Sequence, residues 1–564
     1  MDQVKQLAMA CGKIKAGLVL KKAKVLNVFS NEILEADVAI NDGKIVGVGS
    51  YEGEKEIDCQ GKYIVPGLID AHVHIESSMA SPVEFAKIVL KQGTTTIVAD
   101  PHEMVNVKGA DALRYLLNEC DKAPISIYVM IPSSVPATDF ETNGAGNFEA
   151  EAMKEFKNHP HVLGLGETMR FFDVMNGEAN MMKKINLFKD DYIDGHAPGI
   201  AGKMVQAYKY AGVDNDHESS SFEEALEKLR AGFRIFVREG SGARNLDGII
   251  KGFLSHNLSL DQASFCTDDK HLSDIENEGH ISHNVARAIE LGVDPIVAYK
   301  LGTYQTAKSY GIKNKGAIAA GYDADLLILD DLNKVKIYQV MQNGILIDDT
   351  YLAKFTSGSN DESIRNSVII PEIDQSRLAL KRHEKNHCIQ MIKHEIVTDD
   401  VYETIPGNEY FEPNSEYNKL VVVERHGKNG NVALAPLKGF NIKNGALATT
   451  VAHDSHNIIV AGNNDEDIIV AIKELGKIDG GYVIVSEGKV IDELALPLFG
   501  LMSDSPYQDI AAKTEEMLVK ARQLNVSEDI DPFITLSFMA LPVIPTLRLT
   551  DEGLFDATTM HFVE

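Results

Sequence analysis

Pro66-Gly67-Leu68-Ile69-Asp70-Ala71-His72-Val73-His74 runs from a turn, through an apolar strand, to a pair of histidines. Side chains two apart on a strand share a face, so His72 and His74 present two imidazoles to one point beyond the strand's end. Imidazole is a common ligand of zinc, iron and manganese. An isolated His-x-His pair reads equally well as two histidines in a polar pocket. The surrounding sequence chooses between the two.

From Pro66 onward, buried-looking strands alternate with helical stretches. Strands are expected at 68–75, 94–100, 125–131, 162–167, 192–196, 212–217, 233–238 and 263–268. Helical spacing lies between them, as at 82–92, 148–158 and 221–231. Eight such units over about 250 residues have the size of a (β/α)8 barrel. An open doubly wound sheet shares the alternation, but no G-x-G-x-x-G follows the first strand. The expected class is therefore α/β, with a (β/α)8 TIM-like barrel over 66–315.

Shorter β-like runs flank the barrel at 17–28, 36–40, 44–48 and 56–59, and again at 316–319, 325–329, 334–342 and 344–347. Asn41-Asp42-Gly43 marks a turn between two of them. The two groups are expected to combine into one small β-sheet domain, 1–65 with 316–350, preceded by a short N-terminal helix. The polar residues 350–367 read as a linker, and 368–564 as a C-terminal α/β domain.

The chain of 564 residues carries a formal charge of −28, which repels a nucleic-acid backbone but not a neutral nucleobase. No apolar run is long enough to span a bilayer, and the N-terminus lacks the continuous apolar core of a secretion signal. Cys11, Cys59, Cys120, Cys266 and Cys388 are scattered, with no C-x-x-C pair. Free thiols and a cytoplasmic location are expected.

The other strand ends repeat the chemistry of the first. Glu167 closes the fourth strand, His196 the fifth, His217 the sixth and Asp268 the eighth. Each alone is a solvated strand end or a helix cap. Together, at the C-terminal ends of barrel strands where catalytic groups gather, they point to a metal centre. Asp100, His102 and Glu103, after the second strand, read as groups orienting the ligands, as substrate contacts or as a further metal site.

The run from Pro66 to His74 resembles the opening signature of the amidohydrolase superfamily. Within it the chain is similar to the bacterial adenine deaminase family. The likeness rests on His74-Ile75-Glu76-Ser77-Ser78-Met79, Ala99-Asp100-Pro101-His102-Glu103, Gly164-Leu165-Gly166-Glu167, Asp194-Gly195-His196-Ala197-Pro198-Gly199 and Cys266-Thr267-Asp268-Asp269. It continues through Gly480-Gly481-Tyr482 and Leu496-Pro497-Leu498-Phe499-Gly500-Leu501-Met502-Ser503, and so covers nearly the whole chain. The P-C-x-x-C pattern of other zinc nucleobase deaminases is absent.

The resemblance implies hydrolysis of adenine to hypoxanthine and ammonia, in purine salvage. It implies two divalent metal ions, Mn2+ or Fe2+, with Zn2+ also compatible with the donor types. His72, His74 and Asp268 would hold one ion, His196 and His217 the other. Glu167 would bridge them where many superfamily members use a carboxylated lysine. Asp268 would shuttle the proton from water to the leaving group. A proton donor to the purine ring is expected among Glu239, Glu76 and Glu103. Arg238-Glu239 also reads as a surface ion pair. In the last unit, Val451-Ala452-His453-Asp454-Ser455-His456-Asn457 reads as a polar loop between strands, or as a segment that binds metal or reaches over the barrel mouth. Barrels of this kind often pair, so a homo-oligomer, a dimer, is expected.

Three other activities compete. One is another amidohydrolase reaction on a cyclic amide or N-acyl substrate. The second is a non-catalytic scaffold, which the full ligand set argues against. The third is a deaminase acting on nucleic acid, which the charge opposes.

Overall fold

A computed structural model describes residues 3–358, 361–393, 395 and 397–563. Its centre is eight parallel strands: Leu68–Val73, Thr94–Ala99, Ser126–Ile131, Val162–Thr168, Tyr192–Gly195, Asn215–Asp216, Arg234–Arg238 and Ala263–Cys266. They are called strands one to eight below. Strands one to five form one hydrogen-bonded run and six to eight another. Two seams close the circle. Val73 bridges Asp268 in parallel, with Asp268 N–H donating to His72 O and His74 N–H to Asp268 O, each at 3.0 Å. Between strands five and six, Asp214 N–H donates to Ile193 O at 2.8 Å.

The strands are short and almost wholly buried because helices cover them from outside. Ser81 caps the helix Pro82–Lys91, its hydroxyl accepting from Glu84 N–H, with proline in the first turn. Ser221 caps Phe222–Arg230 in the same way. The helix expected over 148–158 is reduced to one turn, Ala150–Met153. Its cap position, Glu149, makes no side-chain cap bond, and Pro160 follows closely. So short a run has little to pay its nucleation cost.

The flanking strands form one mixed sheet. Its order runs Ile345–Leu346, Lys336–Gln342, Leu326–Asp331, Tyr63–Pro66, Ala16–Asn27, Glu32–Asn41, Lys44–Gly49, with Gly53–Asp58 also on Ala16–Asn27. Val65 pairs antiparallel with Leu327, so segments before and after the barrel share this sheet. Asp42 (φ 47°) and Gly43 (φ 73°) make the hairpin turn read from the sequence. The strand expected at 316–319 is irregular instead. A Cβ on Gly316 (φ +79°) would lie 2.8 Å from Thr303 backbone, so this segment is pressed against the chain as a loop. A helix, Gln3–Ala10, precedes the sheet.

The expected linker is partly ordered, with a helical turn at Asp349–Leu352 and a 3-10 turn at Glu362–Ile364. Its residues Ser359 and Asn360 lie outside the described residues. Beyond it stands a second mixed sheet. Its order is Thr398–Glu403, Asn386–Met391, Val432–Lys438, Tyr417–Val423, Ile458–Gly462, Ala446–Thr449, Gly481–Ser486, Lys489–Ala495. The helix Asp465–Lys477 packs on it, capped by Asn464 and led by Asp465, Glu466 and Asp467, as its acidic start foretells. The C-terminal unit sits on the barrel. Ser81 N–H donates to Ser503 O and Ser503 N–H to Met79 O, and Tyr115 meets Phe499 edge-on at 5.4 Å. Among the described residues, no helix is long and apolar enough to cross a membrane.

Candidate metal centre and active site

Strand one delivers its histidines as its alternation requires. His72 Nε2 and His74 Nε2 lie 3.2 Å apart, both rings buried. Beneath them Asp70 fixes the strand. Its carboxylate accepts from His72 N–H and from the Thr267 hydroxyl and N–H, tying strand one to strand eight. Asp268 follows Thr267 in a left-handed conformation (φ 62°), which aspartate tolerates better than most residues. Its Oδ1 stands 3.4 Å from His72 Nε2 and 3.1 Å from His74 Nε2.

Glu167, on strand four, divides the site. Oε1 faces His74 Nε2 at 3.2 Å and His72 Nε2 at 3.8 Å. Oε2 faces His196 Nδ1 at 2.5 Å and His217 Nε2 at 3.3 Å. One carboxylate therefore faces two histidine pairs. Asp100 Oδ2 holds it from behind, accepting from Glu167 N–H at 2.8 Å. That approach needs the glycine before it: a Cβ on Gly166 would come within 2.2 Å of the same oxygen.

These residues fit divalent cations. Glu167 Oε1, His72 Nδ1 and both ring nitrogens of His217 are buried without a hydrogen bond among the described residues, which buried polar atoms rarely are. Burial raises the Glu167 and Asp268 carboxyls, yet the imidazoles around them hold both well below the usual carboxylate range. Burial and His102 push His74 down, but Asp268 and Glu167 keep it well above the ordinary imidazole value. His196, lowered by burial and raised by Glu218 and Glu167, reaches about 9. The raised His74 and His196 rings answer a negative pocket that cations would suit, while burial and His72 lower His217.

The chain matches the amidohydrolase family over residues 63–288 and 263–369. It matches the adenine deaminase C-terminal domain over residues 395–561. An adenine deaminase of Desulfitobacterium hafniense (strain Y51) is 45% identical, over 100% of this chain and 99% of its own length. The adenine deaminase of Clostridium acetobutylicum is 42% identical over 99% of each chain. That of Bacillus licheniformis is 41% identical over 99% of this chain and 98% of its own. The chain belongs to the adenine deaminase family. Amidohydrolases of this kind use divalent metal ions, in keeping with the buried His, Asp and Glu groups.

The remaining residues singled out in this adenine deaminase family member fall into distinct places. Asp100 supports the backbone, accepting from His102 N–H and Glu167 N–H, while its carbonyl oxygen faces His74 Nδ1 at 2.8 Å. His102 Nδ1 lies 3.1 Å from Glu167 Oε1, and its Nε2 lies 3.6 Å from Asp454 Oδ1. Glu76 Oε1 accepts from Met104 N–H, and its buried Oε2 has no hydrogen-bond partner among the described residues. Burial pushes its carboxyl up to about 7. Glu103 is held by His453 and His456 of the C-terminal unit.

Glu239 is not brought to the ligands. Its carboxylate accepts from Leu246 N–H at 3.2 Å and lies 3.7 Å from Arg244. The surface pair read between Arg238 and Glu239 does not form either. Neighbours on a strand point to opposite faces, and Arg238 is buried against Asp268 Oδ2 at 3.0 Å and against Glu218. Glu218 is the group the sequence reading passed over. Its Oε1 lies 3.8 Å from His196 Nδ1 and 3.7 Å from His217 Nε2. Its place next to a strand-end histidine was the available signal. The loop 451–457 joins strands Ala446–Thr449 and Ile458–Gly462 and reaches the barrel mouth, where Asp454 Oδ1 lies 3.6 Å from His102 Nε2.

Proposed function

We propose that this chain hydrolyses adenine to hypoxanthine and ammonia. The two faces of Glu167, each with its own histidine pair at the C-terminal mouth of a barrel, support this reading, together with the full-length likeness to adenine deaminases. His72, His74 and Asp268 would hold one cation and His196 and His217 the other, with Glu167 offering one carboxylate oxygen to each set. Mn2+ or Fe2+ is proposed, and Zn2+ suits the same nitrogen and oxygen donors. Such cations, when bound, lower the pKa of water enough to supply a nucleophile at neutral pH.

The chain's own groups move the protons. Asp268, with Oδ2 fixed by Arg238, takes a proton from the attacking water and returns it to the amino group leaving C6. Negative charge grows on the purine ring as C6 becomes tetrahedral. Glu76, with a free Oε2 and a carboxyl raised to about 7 by burial, carries a proton for that ring nitrogen. The C-terminal unit closes over the mouth and limits access of bulk water. Five free cysteines suit a reducing compartment, and a cytoplasmic enzyme is proposed.

The test is ammonia release and conversion of adenine to hypoxanthine by purified protein, with and without added Mn(II). Metal-dependent turnover that disappears in Glu167→Gln supports the activity and the bridge. A folded, metal-loaded protein that leaves adenine intact and opens cyclic amides overturns it.

A further inference from the structure

Glu103 lies in the first turn of the helix His102–Lys108 that follows strand two, yet its partners lie 350 and 353 residues away. His453 Nδ1 meets Oε1, and His456 Nε2 meets Oε2 at 2.5 Å. Each carboxylate oxygen therefore has one imidazole. The protonation of His456 follows from its other side. Ala452 N–H donates to His456 Nδ1 at 3.1 Å, which leaves Nε2 as the N–H that donates to Glu103.

The clamp is itself braced. His456 N–H donates to Ala452 O at 2.7 Å, and its carbonyl accepts from Nε of the fully buried Arg425. The His453 ring stacks on Phe538, centroids 4.8 Å apart and planes within 19°. Asn457 Nδ2 donates to Thr142 O at 2.8 Å, pinning the loop to the barrel segment after strand three. On its other flank Glu103 adjoins His102, with Oε1 3.7 Å from His102 Nε2, and the opposite nitrogen of that ring faces Glu167. The carboxylate thus stands one imidazole away from the ligand that divides the metal site, with fixed orientation and unused lone pairs.

We propose that His453 and His456 are positioning residues for deamination, locking the Glu103 carboxylate as the acceptor of a purine N–H. The C-terminal unit then supplies part of the active site across the domain boundary. The inference rests on the adenine reading above. Two imidazoles spent on one carboxylate, on a loop braced from four sides, are more than a domain contact needs. They fix the direction of an acceptor, as outer partners fix metal ligands.

The experiment compares wild type, His456→Ala, His456→Gln, His453→Ala, Glu103→Gln and the double variant Glu103→Gln/His456→Ala in the full-length, metal-loaded chain. Readouts are kcat and KM for adenine, metal content and melting temperature. His456→Ala and His453→Ala are expected to lose about 10- to 100-fold in kcat/KM, with both metals retained. His456→Gln, whose amide N–H can replace the donor, is expected to recover about tenfold of that loss. In the Glu103→Gln background, His456→Ala should cost little more, because partners in one network are non-additive. Losses that multiply regardless of residue 103, or variants within about twofold of wild type, overturn the proposal. Should His456→Ala not fold, His453→Ala, with its partly exposed ring, carries the same comparison. An inactive wild type instead overturns the adenine reading and the clamp with it.

Discussion

Arg238 donates to Asp268 Oδ2 at 3.0 Å, while Oδ1 of the same carboxylate lies 3.1 Å from His74 Nε2. One oxygen is anchored and the other turned to the imidazoles of His72 and His74. Arg238→Met is expected to lower kcat roughly 10- to 100-fold. It removes the guanidinium from the buried Asp268 and the half-buried Glu218, at a cost of up to about 3–5 kcal/mol. Steady-state kinetics and urea unfolding check both. Wild-type kcat in the folded variant would remove Arg238 from the account of Asp268.

Divalent cations should stabilise the fold as well as activate it. Binding to the folded chain alone adds about 4 kcal/mol at a free metal concentration roughly 1,000 times Kd. The melting temperature should therefore fall on chelation and return with Mn(II). In Glu167→Gln the response should shrink, since the shared ligand is gone. Identical melting with and without metal contradicts the ligand assignment.

Gly166→Ala tests the support of Glu167 without touching a ligand. The added Cβ meets Asp100 Oδ2, the acceptor for Glu167 N–H. Overpacking of this kind costs about 1–3 kcal/mol, and here it displaces the bridging residue. Metal content, read by elemental analysis, should drop below two equivalents. Full occupancy and full activity would show that Asp100 has room to move.

Lys184 gives a pH signature away from the metal site. Burial pushes its amino group from 10.5 down to about 8, although it donates to Ser133 O at 2.7 Å. Between those values the unfolded chain holds more protons than the folded one, so stability from this group rises with pH. Its penalty is full below about 8 and lifts as pH climbs towards 10.5. Unfolding in urea at pH 7 and pH 10 should show wild type gaining on Lys184→Met. A difference that stays constant with pH excludes Lys184 as the titrating group.

Local periodicity carried most of the barrel into view. Apolar runs alternating with helical stretches located all eight strands, ligand types closed most of them, and the i, i+2 rule placed His72 and His74 on one face. What escaped was decided by packing at long range. Arg238 looked paired with Glu239 because they are adjacent, whereas its partners Glu218 and Asp268 come from the neighbouring strands six and eight. The sequence offers Glu103 as a candidate proton donor, but its partners His453 and His456 come from another sheet. The short stretches at 148–158 and 316–319 were ambiguous for the opposite reason. Their spacing allowed regular structure, but neither offered the caps or pairing partners to sustain it.

The sheet shared by the two flanks of the barrel also sets an order of events during synthesis. Val65 pairs with Leu327, and Gly67 N–H donates to Asp325 O. At about 5–20 residues per second, the strand Tyr63–Pro66 leaves the ribosome on the order of tens of seconds before its neighbour Leu326–Asp331 exists. Through that interval its outer edge is an open template for other strands. The nascent chain therefore needs shielding, by the growing barrel or by a chaperone, until the last barrel helices have been made.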